Sequence, residues 1–227
     1  MNDRSHKFAR QRHHLVDVTL CKRGIRDPRV LAAIRHVPRE EFVSAELYNV
    51  IYDDCAHSIG SGQTISQPFT VAFMIQAAQL EAGDTILEVG TGSGYGAAIL
   101  SQLGTIVHSI ERLPELAELA SQRLQTLGYA NVQVHVGDGS LGLVDYAPFD
   151  AIVVTAGAAD LPATYREQLR EGGRIIIPLG KTQTRQQLVR FTLRQGELLA
   201  EELGAFAFVP LLGRNGWSPD AQESKRV

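Results

Sequence analysis

Leu87-Glu88-Val89-Gly90-Thr91-Gly92-Ser93-Gly94 is the stretch that decides the fold. A run of apolar residues enters a turn built on three glycines, and from Tyr95 onward the composition is that of a helix. Gly90 and Gly92 permit backbone conformations and close approach that a Cβ would block. In an open α/β sheet, a glycine turn at the carboxyl end of the first strand marks the ligand crevice. Taken alone, such a turn also serves as an ordinary tight strand–helix connection, so its neighbours decide between the two readings.

Downstream, short β-rich runs alternate with helical stretches, the pattern of a parallel sheet covered on both faces. Strands are expected at 85–89, 106–110, 132–136, 151–154 and 174–177, and helices at 95–103, 114–127 and 162–169. Pro114 and Pro162 suit a first helical turn, where a residue without an N–H is tolerated. The pattern then changes. Residues 187–193 and 198–203 flank Arg194-Gln195-Gly196-Glu197, which reads as a β-hairpin turn, and 205–211 reads as a last strand. The expected fold is therefore a doubly wound, mostly parallel α/β sheet with antiparallel C-terminal strands.

Upstream, residues 5–47 read as mostly helical and 52–63 as turn-rich, with Gly60 and Gly62. Ser66 precedes Gln67-Pro68, so it is expected to cap a helix running to about Leu80.

Two further elements lie at the ends of the next strands. Glu111 follows the second strand, 21 positions after Gly90 (111 − 90), where a carboxylate accepts from both hydroxyls of a ribose. Gly137-Asp138-Gly139 follows the third, where Asp138 can accept from an adenine amine. Each is ordinary by itself, but three successive strand ends converge on an adenosine-type ligand. A dinucleotide fingerprint wants glycine where Tyr95 stands, which sets NAD well behind.

The 227 residues are 44% hydrophobic, enough for one substantial core. A net charge of −3 and a pI near 6.2 argue against a dedicated nucleic-acid binder, which needs clustered cations. The basic start (Arg4, Lys7, Arg10, Arg12, with His13 and His14) reads as a solvated helix face. Cys21 and Cys55 lack metal spacing and read as reduced, partly buried thiols. The seven histidines form no ligand cluster, so no metal is expected, and His108 and His135 read as hydrogen-bonded structural residues. Residues 1–14 lack a signal peptide's apolar core and no apolar stretch is long enough to cross a bilayer, so a cytoplasmic protein without a membrane partner is expected.

The G-x-G-x-G pattern with Glu88 two residues ahead resembles the first motif of class I S-adenosylmethionine-dependent methyltransferases, where the acid and glycines surround the methionine moiety. A longer likeness is more specific. Ile59-Gly60-Ser61-Gly62-Gln63-Thr64-Ile65-Ser66-Gln67-Pro68 resembles the hallmark of protein-L-isoaspartate O-methyltransferases. The resemblance continues through Val37-Pro38-Arg39, Phe42-Val43, Gly137-Asp138-Gly139, Phe149-Asp150-Ala151-Ile152, Glu171-Gly172-Gly173 and Phe208-Val209-Pro210-Leu211. It spans residues 28–211 in consistent order.

The resemblance implies a Rossmann-like methyltransferase that transfers a methyl group from S-adenosylmethionine to the α-carboxylate of L-isoaspartyl residues and releases S-adenosylhomocysteine. Isoaspartyl proteins or peptides are then its partners, and a monomer is expected. It implies that Ser66 orients the carboxylate, walled by Gln63, Thr64 and Ile65. Those four residues, with Glu88, Gly90, Gly92, Glu111, Arg112, Asp138 and Gly139, form the expected cofactor set. Ile65, Val209, Pro210 and Leu211 form the expected substrate surface, the last three as a strand pairing with the substrate backbone. One structural domain is expected, divided into a helical extension and active-site loop (1–82), an S-adenosylmethionine-binding core with C-terminal strands (83–212) and a tail (213–227).

Phe69, Val71, Leu212 and Ala56-His57-Ser58 depart from the family pattern, which bears on substrate choice. The departures keep open a related methyltransferase acting on another carboxylate or on RNA. A catalytically silent relative is a third reading, against which Glu88, Gly90, Gly92, Glu111 and Asp138 all stand intact. Asn215-Gly216 is chemically prone to deamidate to isoaspartate, which would make the protein its own substrate; an ordinary turn is the plainer reading.

Overall fold

The structure is a computed structural model and describes residues 3–182 and 185–218. Helix α1 (Asp3–His14) runs into a π-helical turn (Leu15–Leu20), and α2 (Pro28–His36) follows. Asp27 caps α2 by accepting from the Arg29 N–H at 2.8 Å, with Pro28 in the first turn. A 3-10 turn (Arg39–Phe42) and a short hairpin of β1 (His57–Gly60) and β2 (Gln63–Ile65) lead into α3 (Pro68–Ala78). The hairpin lies within the stretch read as turns; its reversal is made by Ser61 and Gly62, both at positive φ.

The body alternates β3 (Thr85–Val89), α4 (Tyr95–Ser101), β4 (Ile106–Glu111), α5 (Pro114–Thr126), β5 (Val132–Val136), β6 (Phe149–Val154), α6 (Ala163–Glu167), β7 (Leu169–Thr182), β8 (Arg185–Arg194) and β9 (Glu197–Phe206). Among the described residues these strands form one sheet in the order β5-β4-β3-β6-β7-β8-β9, with β5 and β9 at its edges. Neighbours from β5 to β7 are parallel, whereas β7–β8 and β8–β9 are antiparallel. The predicted hairpin closes at Gln195 and Gly196, both at positive φ.

Alternation along the strands feeds two cores. Ile86, Val107, Val153 and Ile176 face one cluster, which is completed by the N-terminal helices, α3 and α4. Leu87, Val89, Ile152, Val154, Ile175 and Ile177 face the other, which includes Tyr165 of α6. Both faces of the central strands are therefore buried, as a parallel sheet requires. No helix of the described residues is long and apolar enough to cross a membrane.

Three local expectations are corrected. The helix expected at 162–169 is only α6, because Leu169 already pairs with Phe149 as the start of β7. Residues 205–211 are not a separate strand: Ala205 and Phe206 end β9, and beyond them Pro210 makes a single parallel bridge to Gly157. A proline has no N–H for a continuing ladder. Ser66 does not cap α3, whose N-cap position is Gln67. The Asp54 carboxylate caps it from a distance, accepting from the Phe69 N–H at 2.9 Å.

Candidate active site

Strand β3 has neighbours of both windings, β4 on one side and β6 on the other, so a crevice opens at its carboxyl end. A cavity of about 770 Å³ lies there. Its walls bring together the Gln63–Gln67 stretch, the glycine turn, the end of β4 at Glu111 and Arg112, Gly139, and the C-terminal residues Val209, Pro210 and Leu211. The sites expected from separated parts of the sequence thus meet in one place, with Asp138 the exception.

The glycine turn is shaped by contact as well as by dihedral angle. Gly90 has φ +99°, and a Cβ there would stand 2.3 Å from Thr155 Oγ1. That hydroxyl donates to the carbonyls of Val89 (3.0 Å) and Gly90 (2.9 Å), which joins the turn to the end of β6. Glu111 is held by two backbone donors, Gly92 N–H to Oε2 at 2.9 Å and Leu113 N–H to Oε1 at 3.0 Å. Each carboxylate oxygen keeps a second lone pair for a ligand hydroxyl.

Glu88 is buried beneath the turn. Ser109 Oγ donates to its Oε2 at 2.5 Å and is itself 2.6 Å from Thr91 Oγ1. Burial pushes the Glu88 carboxyl up to about 8, with the Ser109 hydrogen bond opposing and the neighbouring Glu111 charge adding. Gly96 in α4 makes room for this side chain, since a Cβ there would lie 2.3 Å from Glu88 Oε1. Neither Ser109 nor Gly96 was singled out from the sequence. Gly96 sits inside a helix, where glycine is disfavoured, and that was the available signal.

Asp138 does not line the cavity. Its Oδ1 accepts from Ser140 N–H (2.9 Å) and Ser140 Oγ (2.6 Å), and its Oδ2 accepts from Arg214 N–H (2.7 Å). A strap of residues 213–217 is laid against it. Asn215 N–H donates to Ser140 Oγ at 2.9 Å, Trp217 N–H to the Leu211 carbonyl at 2.7 Å, and Trp217 Nε1 to the Gly157 carbonyl at 3.0 Å. Gly157 also bonds Val209 and Leu211, at 2.8 and 2.7 Å, so the expected substrate strand is fixed from behind.

Ser66 is half-buried on the cavity wall, and its carbonyl accepts from Arg39 Nη2 at 2.8 Å. Phe69, one of the departures, lines the cavity beneath Arg23, whose guanidinium carbon lies 3.6 Å from the ring centroid. Leu212, another, bridges to Trp217 in the strap. Cys55 is exposed on the rim, with its Sγ 3.4 Å from His57 Nε2, and so is not the partly buried thiol expected. His108 Nδ1 and His135 Nε2 lie 3.2 Å apart on β4 and β5, a structural pair as expected.

Comparison with known proteins gives a consistent picture. A family model described as protein-L-isoaspartate(D-aspartate) O-methyltransferase matches residues 10–216. A protein-L-isoaspartate O-methyltransferase of Protochlamydia amoebophila is 52% identical over 204 residues, 89% of this chain and 97% of that protein. Protein-L-isoaspartate O-methyltransferase 1 of Rhodopseudomonas palustris is 47% identical over 226 residues, covering 99% and 92%. A solved protein-L-isoaspartate O-methyltransferase superposes with TM-score 0.81 at 32% identity over 90% of this chain, which spans 66% of that longer chain. A solved Plasmodium falciparum protein, titled a putative member of the same group in complex with S-adenosyl-L-homocysteine, gives TM-score 0.76 at 25% identity, covering 88% and 98%.

Proposed function

The chain belongs to the protein-L-isoaspartate(D-aspartate) O-methyltransferase family, and on that premise we propose how its residues divide the work. The enzyme transfers a methyl group from S-adenosylmethionine to the α-carboxylate of L-isoaspartyl residues in damaged proteins, initiating their repair. S-adenosylhomocysteine is the other product.

The cavity suits this donor. Gly90 and Gly96 give Thr155 and Glu88 the room to stand at the cavity wall, Glu111 presents a backbone-fixed carboxylate, and Glu88 is a buried acid whose ionised form a cation would favour. When bound, the donor supplies an electrophilic methyl on a positively charged sulfur. Gln63, Thr64, Ile65 and Ser66 with Glu88, Gly90 and Gly92 would hold its methionine part, and Glu111, Arg112 and Gly139 its nucleoside. Asp138 would act at one remove, by shaping the loop that carries Gly139.

The acceptor is a carboxylate, already ionised at neutral pH, so no general base has to create the nucleophile. What remains is alignment and exclusion of water. Ser66 orients the carboxylate, and Ile65, Val209, Pro210 and Leu211 receive the peptide. The observation carrying this reading is the convergence of the Ser66 segment, the glycine turn and Val209–Leu211 on one cavity of about 770 Å³.

The test uses two peptides identical except for aspartate or isoaspartate at one position, with labelled methyl donor. Label should enter only the isoaspartyl peptide. Equal labelling of the two, or none, overturns the reading.

A further inference from the structure

Arg39 is fully buried, yet among the described residues no carboxylate pairs with it. Its Nε donates to the Ile51 carbonyl at 2.9 Å and its Nη2 to the Ser66 carbonyl at 2.8 Å, while Nη1 is buried without a partner. The guanidinium carbon lies 4.7 Å from the centroid of Tyr95, the residue that opens α4 directly after the glycine turn. Phe42 meets the same ring edge-on at 5.6 Å. The 3-10 turn explains the pairing, because residues three apart stand above one another there.

Such a residue is expensive to keep. A guanidinium stays protonated even where burial lowers its pKa, as it does here. Its two hydrogen bonds satisfy the Ile51 and Ser66 carbonyls, which an apolar replacement would leave unpaired. Its contacts suggest another role. Ile51 and Ser66 stand at the two ends of the segment carrying the β1–β2 hairpin, so one cation clasps both ends. The same cation rests on the first residue of the cofactor-turn helix.

We propose that Arg39 is a positioning residue for methyl transfer: it fixes Ser66 relative to the cofactor turn, and its unbalanced charge favours an anionic acceptor beside Ser66. Holding Ser66 through its carbonyl leaves the hydroxyl to the substrate. Standing behind the wall, the charge favours a bound carboxylate without occupying the lone pair that attacks. The inference rests on the reading of Ser66 as the orienting residue.

The two roles separate by substitution. Arg39→Lys keeps the charge but cannot bridge both carbonyls in the same planar geometry, so kcat for an isoaspartyl peptide should fall while KM stays near the parent value. Arg39→Met loses both roles, so KM should rise as well, with kcat/KM down about 100-fold. S-adenosylhomocysteine affinity, measured by calorimetry, should stay within about threefold in both. Free guanidinium ion at millimolar concentration should restore part of the activity of Arg39→Ala and none of Ser66→Ala.

Folded Lys and Met variants with kcat/KM within about threefold of the parent overturn the inference. So does a loss of S-adenosylhomocysteine affinity that parallels the loss of activity, which would make Arg39 a prop for the cofactor turn. If Arg39→Ala fails to fold, the Lys and Met variants decide by the same readings. Full activity in Ser66→Ala, with the Arg39 variants impaired, would overturn the Ser66 assignment and with it the claim that Arg39 acts by fixing Ser66.

Discussion

Glu88 shows how a residue legible in the sequence gains its chemistry only from the fold. Its place before the glycine turn marked it, but its protonation depends on burial under that turn and on Ser109. Its pKa is raised from the ordinary glutamate value of 4.5 to about 8, so the native state binds the proton more tightly than the unfolded chain. The stability it contributes is complete below about pH 4.5 and is lost as pH rises through about 8. Glu88→Gln imitates the protonated form, so the melting temperature of the ligand-free protein should fall less between pH 6 and about 9 in the variant than in the parent. Calorimetric scans at several pH values check this, and identical slopes would refute it. The same variant should bind S-adenosylmethionine more weakly, having lost a carboxylate that pairs with a cation. Gly96→Ala asks a cleaner steric question. Alanine favours helices by about 1 kcal/mol over glycine, so the variant's own helix should not suffer. Its Cβ would still stand 2.3 Å from Glu88 Oε1, and S-adenosylhomocysteine affinity should drop more than about tenfold.

At the scale of elements, what could be read was what is local. Strands β3 and β5 lie where alternation and flanking turns predict them, and the β8–β9 hairpin closes at its predicted turn. Contacts distant in sequence were not legible. The α3 cap comes from Asp54, and the strap is held by Asp138 and Ser140, about 75 positions earlier. Read as a sequence, those strap residues look like tail because the Arg214 and Asn215 bonds to Asp138 and the Ser140 hydroxyl are made by backbone N–H groups, which every sequence has. Trp217→Ala removes the indole donor to Gly157 behind Val209 and Leu211. KM for an isoaspartyl peptide should rise several-fold with kcat less affected, measured by initial rates. The strap also bears on Asn215-Gly216. Deamidation needs the Gly216 nitrogen to attack the Asn215 side chain, but that N–H donates to the Gly213 carbonyl at 3.1 Å, and the Asn215 amide donates to the Ser140 carbonyl at 3.4 Å. Mass spectrometry of aged folded protein should show this site deamidating at least about tenfold more slowly than the same sequence in a free peptide. An equal rate would mean that the strap opens freely.

For the whole molecule, parallel strand order and a crevice at the switch point followed from the alternation of strands and helices and from the glycine turn. The Arg39 clasp did not, because it joins a 3-10 turn to a segment 27 positions away. A cavity walled from so many distant stretches links ligand binding to global stability. At about 100 times its Kd, S-adenosylhomocysteine should raise the melting temperature by roughly 5–10 °C. No rise would indicate a fold that has lost its ligand.

The position of β9 at the sheet's edge has a consequence for the company this enzyme keeps. Its substrates are damaged chains, and any that have lost their fold could add themselves to an open strand. An exposed edge ten residues long would be a template for aggregation, and β9 presents one. It carries Glu197, Glu201 and Glu202, of which Glu201 pairs with Arg190 and Glu202 accepts from Gln187 on β8, and exposed charges on an edge strand discourage a foreign strand from docking there. Replacing all three with valine should leave turnover of short isoaspartyl peptides near the parent level while the enzyme co-precipitates with heat-aged proteins, visible as light scattering. The acidic edge would then serve to keep the repairer from being trapped by what it repairs.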